Sequence, residues 1–257
     1  MAEDEKSKTL GKKVFFLHPS AITQNHVVYE LAQEEFEVYI LRDEFKLKQA
    51  LLRYPDSIVF ASINEAVKES AWDELVRGIM GKPETAGVQV GIISSVNDES
   101  LKQKYIEKYN VRCGFTVIKS DYNEAVKHLI AILDNVNAKG RRKYIRMVME
   151  KETNATLNVP LNGTFVNGSI KDISVVGFSC VFAEDPGLPK NGLFNDIQLR
   201  LQAQLLKVEG IVFGSRMDGS EKVYVILFSQ RVDLSEKTKI RKYIQSNLQT
   251  RMEQELK

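Results

Sequence analysis

Hydrophobic and polar residues follow two different patterns along this chain, and the pattern changes near residue 137. Before that point, short apolar runs alternate with stretches whose apolar residues recur every three or four positions. The runs predict five buried strands, at Val14–Leu17, Phe36–Leu41, Ser57–Ile63, Gly87–Val96 and Gly114–Lys119. Ser20, Asp43 and Asp121 stand where helix caps are expected. This alternation predicts an α/β doubly wound parallel sheet covered by helices on both faces.

After residue 137 the pattern is that of short strands separated by tight turns. Six strands are predicted, at Ala155–Leu161, Thr164–Ile173, Val176–Phe182, Asp196–Leu201, Leu205–Phe213 and Lys222–Phe228. The turn signals are Asn162-Gly163, Asn167-Gly168, Asn191-Gly192 and Asp218-Gly219. A C-terminal helix begins near Ser235. We therefore expect two domains, an α/β domain over 11–136 and a small antiparallel β-barrel with a closing helix over 137–257.

Composition narrows the class of function. The 257 residues are 43% hydrophobic, which suffices for two packed cores, and the formal net charge is only +2. Such a charge gives little long-range attraction for nucleic acid or an anionic membrane. Cys113 and Cys180 show no metal or redox spacing, which favours a reducing compartment. Residues 1–13 lack an apolar signal core, and no stretch is apolar enough to span a membrane, so we expect a cytoplasmic protein.

No catalytic or metal-binding constellation can be assembled from the sequence. A Ser/His/Asp triad, a Cys/His pair, GxGxxG and the P-loop are all missing, so we predict a non-enzyme with no catalytic residue, no metal and no cofactor. His26 and His128 lie at helical positions and are interpreted as structural. His18 follows the first strand, at the edge where α/β proteins bind ligands, and its role stays open.

The chemistry-bearing residues fall in two groups beyond the first domain. Arg141, Arg142 and Arg146 form a cationic cluster, and a guanidinium can grip a phosphate or stack on a purine. Asp172 can accept hydrogen bonds from the N1–H and N2–H₂ edge of guanine, Ser174 can donate or accept, and Gly177 allows a close backbone approach. Together these residues predict a receptor for a guanine nucleotide.

Arg142-Lys-Tyr-Ile-Arg146 followed by Asp172-Ile-Ser174-Val-Val-Gly177 resembles the signature of PilZ domains, RxxxR and then [D/N]xSxxG, with no departure at any motif position. The resemblance covers roughly residues 140–257. It implies a bacterial receptor for cyclic di-GMP, with Arg141, Arg142, Arg146, Asp172, Ser174 and Gly177 as ligand-binding residues. The alternative is that the arginines belong to a solvated basic linker, while Asp172 and Gly177 only shape a turn.

Residues 11–136 resemble a response-regulator receiver domain. Ser94 or Ser95 and Lys119 match two positions of the receiver phosphorylation site. The carboxylates are missing, because the first strand ends in His18-Pro19 and the third in Ser62-Ile63. Without these carboxylates, the domain lacks the oxygen ligands for Mg²⁺ and the group that would accept the phosphoryl group. We therefore expect a degenerate receiver-like domain that serves interaction.

The expected function is that of a cyclic di-GMP effector. Ligand phosphates would order a mobile arginine segment and change the arrangement of the domains and the contacts with an unidentified protein partner in motility or envelope control. Two alternatives remain: a nucleic-acid-binding module with a basic strap and a phospho-receiver regulator. Arg141 is one guanidinium more than a single ligand needs. It predicts a second, intercalated cyclic di-GMP, or else it is a solvated linker charge.

Overall fold

The computed structural model describes residues 11–63, 69–119, 121–150 and 155–257. Their contacts divide the chain into two compact units. The first comprises the chain up to Lys143 together with Gln249–Lys257, and the second comprises Tyr144–Leu248. The boundaries expected from the sequence, 11–136 and 137–257, stay a prediction.

The first unit is built on a five-stranded parallel sheet with the strand order β2-β1-β3-β4-β5. Its strands are β1 (Val14–Leu17), β2 (Val38–Leu41), β3 (Ile58–Ser62), β4 (Gln89–Ser94) and β5 (Phe115–Val117). Every residue of β1 and β3 is buried, as a sheet covered on both faces requires. The doubly wound parallel sheet that the sequence predicted is therefore confirmed.

Within the described residues, helical segments alternate with these strands, and a 3₁₀ turn (Pro83–Thr85) precedes β4. The helical segments are α1 (Thr23–Val28 with π-helical turns, continued by Tyr29–Gln33), α2 (Glu44–Arg53), α3 (Glu69–Met80), α4 (Glu99–Gln103, continued by Lys104–Lys108) and α5 (Tyr122–Asn135). The predicted caps are confirmed. The Asp43 carboxylate accepts from the backbone N–H of Phe45 at 2.7 Å, and that of Asp121 from Asn123 at 3.0 Å. Such bonds satisfy N–H groups that have no partner inside the helix.

The edge strand β2 is covered by the last residues of the chain. The side-chain amide of Gln249 accepts from the backbone N–H of Ile40 at 2.9 Å and donates to its carbonyl oxygen at 2.8 Å. Tyr54 donates to the Glu255 carboxylate at 2.6 Å. An amide can satisfy both polar groups of one edge residue as a neighbouring strand would, so this contact protects part of an otherwise open sheet edge.

The second unit is a closed antiparallel barrel. Six strands form the ring, β8-β7-β10-β11-β12-β9 and back to β8, and the short β6 pairs with β8. The strands are β6 (Met147–Val148), β7 (Ala155–Leu161), β8 (Thr164–Ser174), β9 (Gly177–Phe182), β10 (Leu193–Leu201), β11 (Gln204–Asp218) and β12 (Glu221–Phe228). The barrel prediction is confirmed. A helix, α6 (Leu234–Glu255), follows, and its Ile240, Tyr243 and Ile244 pack into the barrel core.

One predicted turn is wrong. Asn167-Gly168 lies inside β8, where Gly168 pairs with Leu157 on one side and Phe182 on the other. A Cβ on Gly168 would lie 2.8 Å from the carbonyl oxygen of Val181, so the glycine serves close strand packing and not a reversal. None of the described helices is both long enough and apolar enough to cross a bilayer.

Candidate ligand-binding site

The arginine segment enters the barrel through a two-residue strand that the sequence analysis missed. Met147 pairs with Ile173 and Val148 with Asp172, antiparallel. Met147 is buried in the barrel core, and Ile145 and Met149 pack against that core. This alternation of apolar residues at 145, 147 and 149 is the signal that could have predicted β6. This packing also bears on the expectation of a mobile arginine segment, because the C-terminal end of that segment is held in the barrel core.

The pairing of β6 with β8 brings Arg146 next to Asp172. The Arg146 Nε lies 3.5 Å from Asp172 Oδ1, and 40% of the arginine side chain is exposed. On the other side, Ser179 of β9 donates from its hydroxyl to Asp172 Oδ2 at 2.6 Å. Asp172 and Ser179 are cross-strand partners, and Ser179 is buried. The carboxylate is therefore held between a cation and a buried hydroxyl, in a fixed orientation.

This arrangement leaves Asp172 with unused acceptor capacity. A carboxylate has about four lone-pair positions, and the described contacts engage one on each oxygen. The side chain is 15% exposed. Asp172 can thus accept from a ligand edge that presents two donors.

The Asp172 charge also acts on the neighbouring Cys180. Burial raises the pKa of the Cys180 thiol to about 12, and the negative charge of Asp172 adds to that rise.

Ser174 and Gly177 close the β8–β9 hairpin around the turn Val175-Val176 and are direct partners in its register. Ser174 is buried, and its hydroxyl donates to the Gly177 carbonyl at 3.2 Å and accepts from Val176 N–H at 3.4 Å. Through these two hydrogen bonds, Ser174 shapes the turn that follows Asp172.

Gly177 has a packing requirement of its own. A Cβ at this position would lie 2.9 Å from the Leu227 Cα and still closer to the Ile226 carbonyl oxygen. Real Cβ atoms do not approach backbone so closely. The motif glycine allows β12 to pass against the turn, so the close backbone approach expected at Gly177 involves a neighbouring strand.

Arg141 and Arg142 are exposed and make no hydrogen bond or ion pair with the residues that the structure describes. They precede Arg146 in the same segment. Exposed guanidinium groups keep all of their donors available for a ligand.

The carboxyl ends of the parallel strands carry the residues that the sequence analysis compared with the receiver phosphorylation site. Ser62 ends β3 and is buried, while the Ser94 hydroxyl is engaged by the backbone of Val96. Lys119 is exposed, and His18 follows β1. Across the described part of the chain, no three His, Cys, Asp or Glu residues group as metal ligands would.

Ser179 is the site residue that sequence reasoning missed. Its position follows from the hairpin register, because a two-residue turn at 175 and 176 places 172 opposite 179. The expected start of β9 at Val176 obscured that register.

No protein-family model and no curated protein matches the sequence. Among solved structures, the chain is similar to YcgR of Escherichia coli in complex with c-di-GMP, with 16% identity, a TM-score of 0.40, and coverage of 45% of this chain and 50% of that one. The PilZ domain of YcgR with c-di-GMP matches with 16% identity and a TM-score of 0.38, covering 44% of this chain and 96% of the domain. The Mn²⁺-bound response regulator Rcp1 matches with 17% identity and a TM-score of 0.39, covering 48% of this chain and 92% of Rcp1.

The chain therefore spans about half the length of the YcgR chain it matches.

Proposed function

We propose that this protein is a cyclic di-GMP effector whose ligand is bound by Arg141, Arg142, Arg146, Asp172, Ser174 and Gly177. The observation that carries the proposal is the Asp172 carboxylate, held by Arg146 and Ser179 and still able to accept two hydrogen bonds. Guanine presents two adjacent donors, N1–H and N2–H₂, and adenine does not. A fixed, partly exposed carboxylate therefore selects guanine.

The arginines supply the complementary half of the interaction. Each phosphodiester of the ligand carries a negative charge, and a guanidinium binds such a group with strong, charge-assisted hydrogen bonds. Arg141 and Arg142 are exposed and available for this role, while Arg146 also orients Asp172. Ser174 and Gly177 act by holding the turn that fixes Asp172 in place.

The proposed output is a change in protein contacts with no covalent chemistry. Arg141 and Arg142 are exposed and follow a glycine, so the unliganded chain at these residues gains little from packing. Bound phosphates would order it, and ordering would alter the arrangement of the two units and the surface offered to a protein partner, in motility or envelope control. The ligand can shift that equilibrium only by as much as its affinity differs between the two states.

Calorimetric titration of the full chain with cyclic di-GMP tests the assignment. Arg142→Ala, Arg146→Ala and Asp172→Ala should each weaken binding by about tenfold or more, since hydrogen bonds to charged groups contribute roughly 1.5–3 kcal/mol. Arg216→Ala is the matched control, because Arg216 is an exposed arginine on β11 outside the motif.

Unchanged affinity in all three site variants would overturn the assignment. Binding of DNA or RNA that falls steeply with salt, in the absence of cyclic di-GMP binding, would favour a nucleic-acid-binding module instead.

A further inference from the structure

A polar cavity lies in the first unit, at the carboxyl ends of β1 and β2. Leu17 and Leu41 are the last residues of these parallel strands and are register partners. The backbone N–H of His18 continues the ladder to the Leu41 carbonyl at 2.9 Å. The residues that follow the two strands, His18 and Arg42, therefore leave the sheet side by side. In open α/β sheets, ligands bind outside the carboxyl ends of the strands, and β1 also borders the point between β1 and β3 at which the strand order reverses.

The side chains around this cavity are cationic or neutral. Its volume is about 440 Å³, and His18, Ser20, Gln24, Asn25 and Arg42 are among the residues that line it. None of its described lining residues is acidic. The nearest carboxylate in sequence, Asp43, is occupied by capping α2 through the N–H groups of Phe45 and Lys46.

Two contacts orient the Arg42 guanidinium and the His18 ring. The Arg42 Nη2 donates to the Gln24 Oε1 at 2.6 Å, and most of the guanidinium donors remain available. The His18 ring meets the edge of the buried Trp72 ring, with centroids 5.9 Å apart. His18 is thus positioned by packing and Arg42 by a hydrogen bond.

We propose that this cavity binds phosphate, either as the free ion or as the monoester group of a small molecule. A guanidinium binds phosphate through two parallel N–H bonds, and imidazole, hydroxyl and amide groups can complete the shell. The volume exceeds that of a single phosphate ion and lies in the range of small-molecule sites, about 300–1,000 Å³. The site is distinct from the arginine and Asp172 site of the barrel and does not depend on the function proposed for it.

The test is amide NMR titration of the full chain with inorganic phosphate, with ribose 5-phosphate, and with ribose as the unphosphorylated control. Phosphate and ribose 5-phosphate should shift the amide signals of residues 18, 20–25 and 42 in a saturable manner, and ribose should not. Tighter binding of ribose 5-phosphate would identify an organic monoester as the natural class of ligand, and equal binding would identify free phosphate.

Variants decide whether this cavity is responsible. Arg42→Gln should weaken binding by about tenfold or more. His18→Asn should weaken it by a smaller factor, and asparagine suits the positive backbone φ of 49° at this position. Arg77→Gln, an exposed arginine of α3 outside the cavity, should leave it unchanged. Absent shifts with both phosphate probes, or shifts that persist in Arg42→Gln, would overturn the proposal.

Discussion

The two units place polar side chains at strand ends in opposite ways. In the barrel, a carboxylate is kept and fixed, with Arg146 on one oxygen of Asp172 and Ser179 on the other. In the first unit, β1 is followed by His18 and β3 ends in the buried Ser62, so neither strand end carries a carboxylate. The barrel therefore offers a fixed hydrogen-bond acceptor, while the carboxyl ends of β1 and β3 offer an imidazole and a hydroxyl. The fold therefore determines where a binding site can form, and a few side chains at that place determine which ligand chemistry it can use.

The largest expected effect concerns the packing under the barrel site. Gly177→Ala should destabilise the β9–β12 pairing by about 3 kcal/mol, because the new Cβ meets the backbone of Ile226 and Leu227. Hydrogen exchange of residues 177–182 and 221–228 measures this locally. Gly214→Ala is the control, since a Cβ there meets nothing within 4 Å. Equal protection in both variants would show that the glycine has no packing role.

The next effect tests whether the fixed carboxylate matters for binding. Ser179→Ala removes the hydroxyl that holds Asp172 Oδ2, and a lost hydrogen bond of this kind costs about 1 kcal/mol. Cyclic di-GMP affinity should fall by roughly fivefold in calorimetric titration. Ser215→Ala, an exposed serine on β11, should have no effect. If the two serine variants bind alike, Ser179 does not orient the site.

A smaller effect is expected in the number of ligands. Arg141 is exposed, and its guanidinium plane can stack on an outer guanine. We expect two intercalated ligands per chain and a decrease towards one in Arg141→Leu, with the remaining affinity largely kept. Sedimentation or calorimetry at concentrations well above the dissociation constant measures the ratio. Saturation at one ligand in the unmodified protein would refute the second ligand and leave the receptor assignment untouched.

We expect that small phosphodonors do not phosphorylate the first unit. Acetyl phosphate with Mg²⁺ should leave residues 11–136 unmodified, because their strand ends lack the acceptor carboxylate and the metal ligands. Intact-mass spectrometry checks this, with a receiver domain that keeps its aspartate as the positive control. An acid-labile phosphate on this part of the chain would remove the contrast between the two units.

Much of the fold could be predicted, because local patterns dictate it. Asp43 and Asp121 each precede a stretch with helically spaced apolar residues, and each caps the helix predicted there. Ala155–Leu161 is a strand with the predicted bounds. The failures have tertiary causes. Asn167-Gly168 has the composition of a turn, but neighbouring strands press against Gly168 on both sides.

The site was only partly predictable for the same reason. Arg142, Arg146, Asp172 and Gly177 could be proposed from the sequence because they stand at motif spacing. The pairing of β6 with β8 brings Arg146 to Asp172, and two residues of strand give a weak signal. The contact between Gly177 and β12 depends on strands far apart in the chain, so no local pattern indicates it.

The most direct measurement is a comparison of cyclic di-GMP with cyclic di-AMP in calorimetric titration of the full chain. The two ligands carry the same phosphates, so the arginines alone would bind them alike. If Asp172 recognises the guanine edge, cyclic di-GMP should bind at least about tenfold more tightly, and Asp172→Asn should reduce that preference. Equal affinity for the two ligands, or no binding of cyclic di-GMP, would contradict the account.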